Sequence, residues 1–444
     1  MCIRDSFKRA QLTAARAVVN AQAQGSRLIA ADAEVSEGWA WERLGDADQA
    51  LAKLSAARDL AAASGNERFS ASASRLIGIV SYDKGDFSAG SKASEEALAV
   101  FRRLGTTGSV ADTLTDMGNV FYEQGKMEAA RRYYEEALND YREVADLAGI
   151  ASGLGSIANV LDGLGDLAGA TQMQQESLQA FRKALDRRGE SSTLDNLGNV
   201  LLERGELESA KQDYEQGMKL GDEIGFKRAR AYILPSLATI QRAQDKLPEA
   251  WGTLEQSINL WKELKDQINA GRSQILLADI ALEQGKIPEA ESLVGSVKDI
   301  FVKENVTDAS SESEAILARV LLAQGKIKEA QTSAERALDL SKHSSDRTVG
   351  FDATFVVASV NATSSRIPEE MCIRDSIGAA LCPPDFAAAH LYVTKDSWLL
   401  IKIVLAEIVT VDLGARVESP YFVGVTFVLV ARAHLDEIKR TRNQ

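Results

Sequence analysis

The sequence predicts an all-α solenoid, and three observations carry that expectation. The first is a lattice: Gly45, Gly85, Gly125, Gly165, Gly205, Asp245, Gly285 and Gly325 stand forty residues apart, and a fixed period in that range marks an array of stacked supersecondary units. The second is a pair of small-residue positions locked to the lattice. Seven residues before each turn stands Gly38, Gly78, Gly118, Ala158, Gly198, Ala238, Ala278 or Ala318, and five after it Ala50, Gly90, Ala130, Ala170, Ala210, Ala250, Ala290 or Ala330. The third is composition: only 7 prolines in 444 residues and 6% aromatics, as helix-rich chains require.

The unit Ala111 to Ile150 shows why each element forms. Leu114, Met117, Gly118 and Phe121 fall on one face of a first helix spanning Ala111 to Gln124, at helical spacing. Gly125 and Lys126 break it, and the glycine is expected in the left-handed conformation that ends helices. A second amphipathic helix follows with Ala130, Tyr134, Ala137, Leu138 and Tyr141 inward. So short a turn forces the two helices to pack antiparallel, and the small residues let them approach. Pro248 and Pro288 fall at the start of second helices, where a missing N–H is harmless. The lattice places half a repeat, a second helix only, at 7–30, eight units at 31–350 and a truncated ninth at 351–370.

Leu114, Met117, Gly118, Phe121, Ala130, Tyr134 and Ala137 together resemble the tetratricopeptide repeat. The usual unit has about 34 residues and a proline near its end; here the unit is longer and that proline is missing. The chain is similar to the long-repeat subclass found in bacterial signalling proteins and motor-cargo adaptors, over Asp32 to about Arg366. The resemblance implies a right-handed superhelix with first helices lining its concave face, and a scaffold that binds a peptide or helix of a partner protein in that groove. An alternative it also implies is the C-terminal regulatory or sensory arm of a larger serine/threonine kinase or transcription regulator, whose catalytic or DNA-binding domain is missing from this chain.

Carrying the family's groove positions over gives Asp112, Asp116, Asn119, Tyr122, Glu123, Ser156, Asn159 and Asp162, then Asp195, Asn196, Asn199 and Glu203, then Asp279 and Glu283. Asn119, Asn159 and Asn199 share one register position in successive units. An amide both donates and accepts, so such a row suits a segment read through its main chain; the competing reading is that the amides bond across each helix pair and support packing. Arg75, Arg242, Arg272 and Arg319 also occupy groove-type positions, so the face reads either as a groove with an acidic middle and basic ends or as ordinary solvated surface. No lysine-rich clamp for a terminal carboxylate is present. Trp251 and Trp261 are expected to pack between second helices; Trp39 and Trp41 are further contact candidates.

Other classes fall away. A net charge of −13 argues against nucleic acid and favours a neutral to basic protein or peptide partner. His343, His390 and His434 are the only histidines, and Cys2, Cys372 and Cys382 lie off the lattice. No catalytic triad, metal site or cofactor is therefore expected, and the chain is read as no enzyme. Gly105-Thr106-Thr107-Gly108-Ser109 resembles a phosphate loop but lacks the following lysine and reads as a linker. The apolar runs 398–413 and 421–430 are too short for a membrane span. The N-terminus lacks a signal-peptide core, so a cytoplasmic location is expected.

The ends are read separately. Met1 to Ser6 recurs unchanged as Met371 to Ser376, resembling a translated adapter scar of metagenomic gene models; both copies, 1–6 and 371–376, are set aside as non-native. The tail 377–444 begins directly after the second copy and is read as spurious or misjoined translation rather than a small domain. The natural protein is then expected to continue at both ends.

Overall fold

The computed structural model describes residues 3–343 and 347–363. The repeated hexapeptide at 371–376, the tail 377–444 and the end of the ninth unit lie outside the described residues, as do Cys2, Cys372, Cys382, His390 and His434. Among the described residues there are eighteen α-helices and no strand. The first helices are α2 (Arg27–Leu44), α4 (Glu67–Asp83), α6 (Thr107–Glu123), α8 (Leu147–Leu164), α10 (Arg187–Glu203), α12 (Lys227–Ala243), α14 (Gln267–Glu283), α16 (Thr307–Ala323) and α18 (Arg347–Thr363). The second helices are α1 (Ile3–Ala23), α3 (Ala47–Ala63), α5 (Phe87–Leu104), α7 (Met127–Glu143), α9 (Leu167–Ala184), α11 (Leu207–Glu223), α13 (Leu247–Glu263), α15 (Ile287–Lys303) and α17 (Ile327–Ser341). They divide into two compact units, one of the described residues up to 164 with 172–186, the other of 165–171 with the described residues from 187 onward; α9 straddles the division.

Every turn of the expected lattice is left-handed, Asp245 included. A second lattice lies midway between, at Gly25, Gly65, Gly105, Ala145, Leu185, Gly225, Lys265 and Asn305, each with positive φ. The connection between pairs is thus as tight as the one within a pair, and each first helix starts about four residues before the expected boundary: α6 begins at Thr107 rather than Ala111. The loop-like Gly105–Ser109 stretch is accordingly no linker. Gly105 ends α5, Thr106 is the N-cap position, and Thr107 to Ser109 open α6. Asp46, Asn66, Asp86 and Asp266 cap their helices by accepting the amides of Gln49, Phe69, Ala89 and Asn269, satisfying donors the helix itself leaves open.

The small residues do what their spacing predicts. A Cβ at Gly118 or Gly198 would stand 2.5 Å from the ring of Tyr134 or Tyr214, and Ala50, Ala130, Ala170, Ala210, Ala250, Ala290 and Ala330 are fully buried. The core of the first unit runs from pair to pair through Ala97, Phe101, Leu114, Met117 and Tyr141, that of the second through Ala278, Val294, Phe301, Ile316 and Val320. Among the described residues one helix, α8, is long and apolar enough by length and composition to cross a membrane; Leu154, Ile157, Ala158 and Val160 on it are buried.

Candidate functional site: the first-helix face

First helices of neighbouring pairs touch one another: α4, α6 and α8 in the first unit, and α10, α12, α14, α16 and α18 in the second. Among the described residues no comparably extensive contact joins successive second helices. Rows that touch on one side and splay on the other curve toward the touching side, so within each unit the first helices form the inner face.

In the first unit α4 and α6 enclose a cleft of about 120 Å³ lined by Ile79, Tyr82, Asp83, Asp116, Asn119, Val120 and Glu123. Arg75 on α4 reaches across to Asp116 at 2.5 Å and Asp112 at 3.4 Å, and Tyr141 donates to Asp112 at 2.9 Å. Burial nevertheless holds the Asp116 carboxyl above the usual range, outweighing the pull of Arg75. Burial also raises Asp83 and Glu123, the second with help from the first. Ser156, Asn159 and Asp162 project from the corresponding surface of α8, and Tyr122 and Asp162 carry contacts of their own.

The asparagines bond across their helix pairs. Asn119 Oδ1 accepts from Tyr134 at 2.8 Å, Asn159 Oδ1 from Gln174 at 3.2 Å, and Asn199 Oδ1 from both Tyr214 at 2.7 Å and Ser236 at 3.1 Å. The competing reading of bonds across each helix pair is thus met: each oxygen accepts from the second helix, that of Asn199 also from Ser236 of first helix α12, and this orients the amide. Asn119 and Asn159 are exposed and Asn199 is half-buried, so the NH₂ is the group that the row presents.

In the second unit Asp279 on α14 sits between Arg242 of α12, at 2.7 Å, and Arg319 of α16. Burial opposes its ionisation, but Arg319 and then Arg242 prevail and its pKa lies below normal. Arg242 also grips Glu283, its Nε 3.0 Å from each carboxylate oxygen, and Arg272 meets Asp308 at 2.6 Å. The groove arginines are therefore not basic ends flanking an acidic middle. Each is tied to an acid on the next first helix in either direction. Asp195 on α10 is different: burial alone pushes it up to about 7. Asn196 is half-buried beside it in sequence, and Glu203 closes the same helix with contacts of its own.

Trp261 is buried against Ala231 and Ala270, edge-on to Tyr232 at 4.6 Å. It therefore fills the space between first helices α12 and α14, not between second helices, because residue positions on a second helix face the next first helix. Trp251 is partly buried, with the Lys286 ammonium 4.6 Å from its ring centre. Sequence reasoning missed three buried acids, Glu34 and Glu37 beside Lys53 and Glu314 beside Lys298. The signal of Glu34 and Glu314 was present: the register position they hold carries leucine at Leu114, Leu154, Leu194 and Leu234. Among the described residues no group of three or more His, Cys, Asp or Glu side chains is arranged to hold a metal ion.

This geometry is that of a known repeat class, and the chain is a tetratricopeptide repeat protein. Residues 147–354 match the MalT-like TPR region and residues 69–143 the tetratricopeptide repeat. No curated protein matches the sequence. Among solved structures, the chain is similar to aspartyl phosphate phosphatase F from Bacillus subtilis, with 9% identity and a TM-score of 0.55, covering 79% of this chain and 96% of that one. It is similar also to a signal transduction ATPase with numerous domains and a tetratricopeptide repeat sensor from Pyrococcus horikoshii, with 14% identity and a TM-score of 0.50, covering 72% and 52%. A third likeness is to the quorum sensor NprR from B. thuringiensis, with 16% identity and a TM-score of 0.49, covering 82% and 96%. At these identities the likeness is one of fold.

Proposed function

We propose that the chain is a non-catalytic protein-interaction scaffold whose first-helix face holds an extended peptide or a helix of a partner protein, in intracellular signalling. The observation that carries the reading is the oriented amides, Asn119 and Asn159 on the face of the first unit and Asn199 on that of the second, each fixed from behind by Tyr134, Gln174 or Tyr214; pre-oriented donors toward main-chain carbonyls lower the entropy cost of binding. The acidic cleft and the net charge of −13 favour a neutral to basic segment over nucleic acid, a membrane surface or an acidic tail. The cytoplasm is the compartment in which such a scaffold would work.

A binder selected from a displayed random peptide library tests this. Replacing Asn119, Asn159 and Asn199 together by alanine should weaken it at least tenfold, while Tyr134→Phe with Tyr214→Phe, which leaves the amides in place, should weaken it less. Equal binding by all three proteins would refute the assignment. The Pyrococcus likeness, whose repeat array is named a sensor, supports a second reading, in which this array is the sensory arm of a larger protein. Gene sequence upstream of the array decides it: a kinase or DNA-binding domain there supports the arm, and further repeats alone count against it.

A further inference from the structure

Several carboxylates drawn into the first-helix face are met by arginine from a neighbouring first helix: Asp112 and Asp116 by Arg75, Asp279 by Arg242 and Arg319, Asp308 by Arg272. Asp195 breaks the pattern. Its Oδ1 is buried and accepts no hydrogen bond, and the residue as a whole is half-buried on α10. Three units earlier in the lattice the same register position is Arg75, so the chain places an acid where α4 places its bridging cation. The neighbouring donors are engaged elsewhere. Tyr214 from α11 and Ser236 from α12 both donate to Asn199 Oδ1. The titratable groups gathered with Asp195 around Tyr214 are Glu203 on α10 and Asp213 on α11, both acidic, and from α12 the facing group is the uncharged Ser236.

We propose that Asp195 is an anchoring site for a basic side chain, the guanidinium of arginine or the ammonium of lysine, on the segment held by the first-helix face, with Glu203 two turns further along α10 adding to the negative charge there. The inference rests on the scaffold reading above and adds to it the residue that selects the segment. A cation brought there supplies from the partner what Arg75 and Arg242 supply from within, a charge-assisted hydrogen bond in a poorly solvated place. Burial pushes Asp195 up to about 7, so the ionised form that a cation requires grows from about a tenth at pH 6 to about nine tenths at pH 8. Binding of an arginine segment, whose own charge does not change in this range, should strengthen about tenfold over the same interval and release a proton on the acid side.

The test uses capped hexapeptide pools with one fixed central residue, arginine, lysine, norleucine or glutamate, titrated against the full chain at pH 6 and pH 8. The expected result is preference for the arginine and lysine pools, about tenfold tighter at pH 8. Asp195→Asn should lose both the preference and the pH step while still binding the norleucine pool; Asp195→Glu should keep the preference, and circular dichroism checks that each variant is helical. Neutral and basic pools binding alike, or a pH step that survives Asp195→Asn, overturns the anchoring site and leaves the scaffold reading standing. Failure of every pool to bind the unmodified chain overturns both.

Discussion

Asp195 and Asp279 both sit on the inner faces of first helices, and they bind protons with opposite preference. The Asp195 value of about 7 lies above the unfolded value of 3.8, so between those pH values the folded chain keeps a proton that the unfolded chain releases. Stability therefore falls as pH rises from about 4 to about 7, and the penalty of an ionised buried carboxylate persists above that. Asp195→Asn should raise Tm at pH 8 by an amount corresponding to a few kcal/mol, on the order of the shift itself, and leave it unchanged near pH 3; equal Tm at pH 8 contradicts the burial. Asp279 has the opposite sign: its folded pKa is depressed, so its stabilisation is present above the unfolded value and is lost as pH falls through the lower, folded one. Asp279→Ala strands Arg319 and half-frees Arg242, and should cost about 2 kcal/mol at neutral pH after allowance for their partial exposure, measured by urea denaturation. Which acids lie on the inner face was legible from register. Which are neutralised was not, because Arg75 finds its acids 37 and 41 residues away and Arg242 finds Glu283 41 away, distances at which several partners compete equally on paper.

At the scale of the element, α12 shows how the array repairs a defect. Pro235 stands inside it and removes the N–H that would bond the carbonyl of Ala231, four residues earlier. Ser257 of α13 donates to that carbonyl at 3.0 Å. Ser177 of α9 makes the same contact to Ala151 of α8, where the helix supplies its own bond as well. Ser257→Ala should therefore cost more than Ser177→Ala, by about 1 kcal/mol or more, since it leaves a buried carbonyl without a donor; equal costs in a denaturant titration would contradict the account. The turns carry a related lesson. Glycine at Gly45, Gly85 and Gly125 announced the turns within pairs, whereas the turns between pairs use Ala145, Leu185, Lys265 and Asn305 as well as glycine. Those side chains tolerate positive φ at a cost of about 1 kcal/mol, so nothing in their identity marked the position, and the first helices looked shorter than they are. Leu185, strongly exposed, should give a more stable chain as Leu185→Gly, by up to about 1 kcal/mol.

For the whole molecule, the forty-residue period fixes more than helix pairing. It assigns each residue of the repeats to an inner face, a core or an outer face, which is why the candidate groove was readable from the sequence and why the substitution of Glu34 and Glu314 for leucine is visible once the register is written out. Its limit lies in side-chain chemistry across the pairs: Asn119, Asn159 and Asn199 were found by position, but that their oxygens belong to the second helices required the geometry. Repeat arrays gain stability from nearest-neighbour contacts, and here those contacts engage Arg75, Arg242, Arg272 and Arg319, while the amide donors and Asp195 are the groups that the proposed partner would meet. The central claim is that the first-helix face binds and the outer second-helix face does not. It is tested most directly by the affinity of one selected peptide for two triple-alanine variants, one at Asn196, Asn199 and Glu203 on first helix α10 and one at the exposed Lys92, Arg132 and Gln212 on second helices. The account predicts at least a tenfold loss for the first and less than a twofold change for the second; the reverse pattern would contradict it.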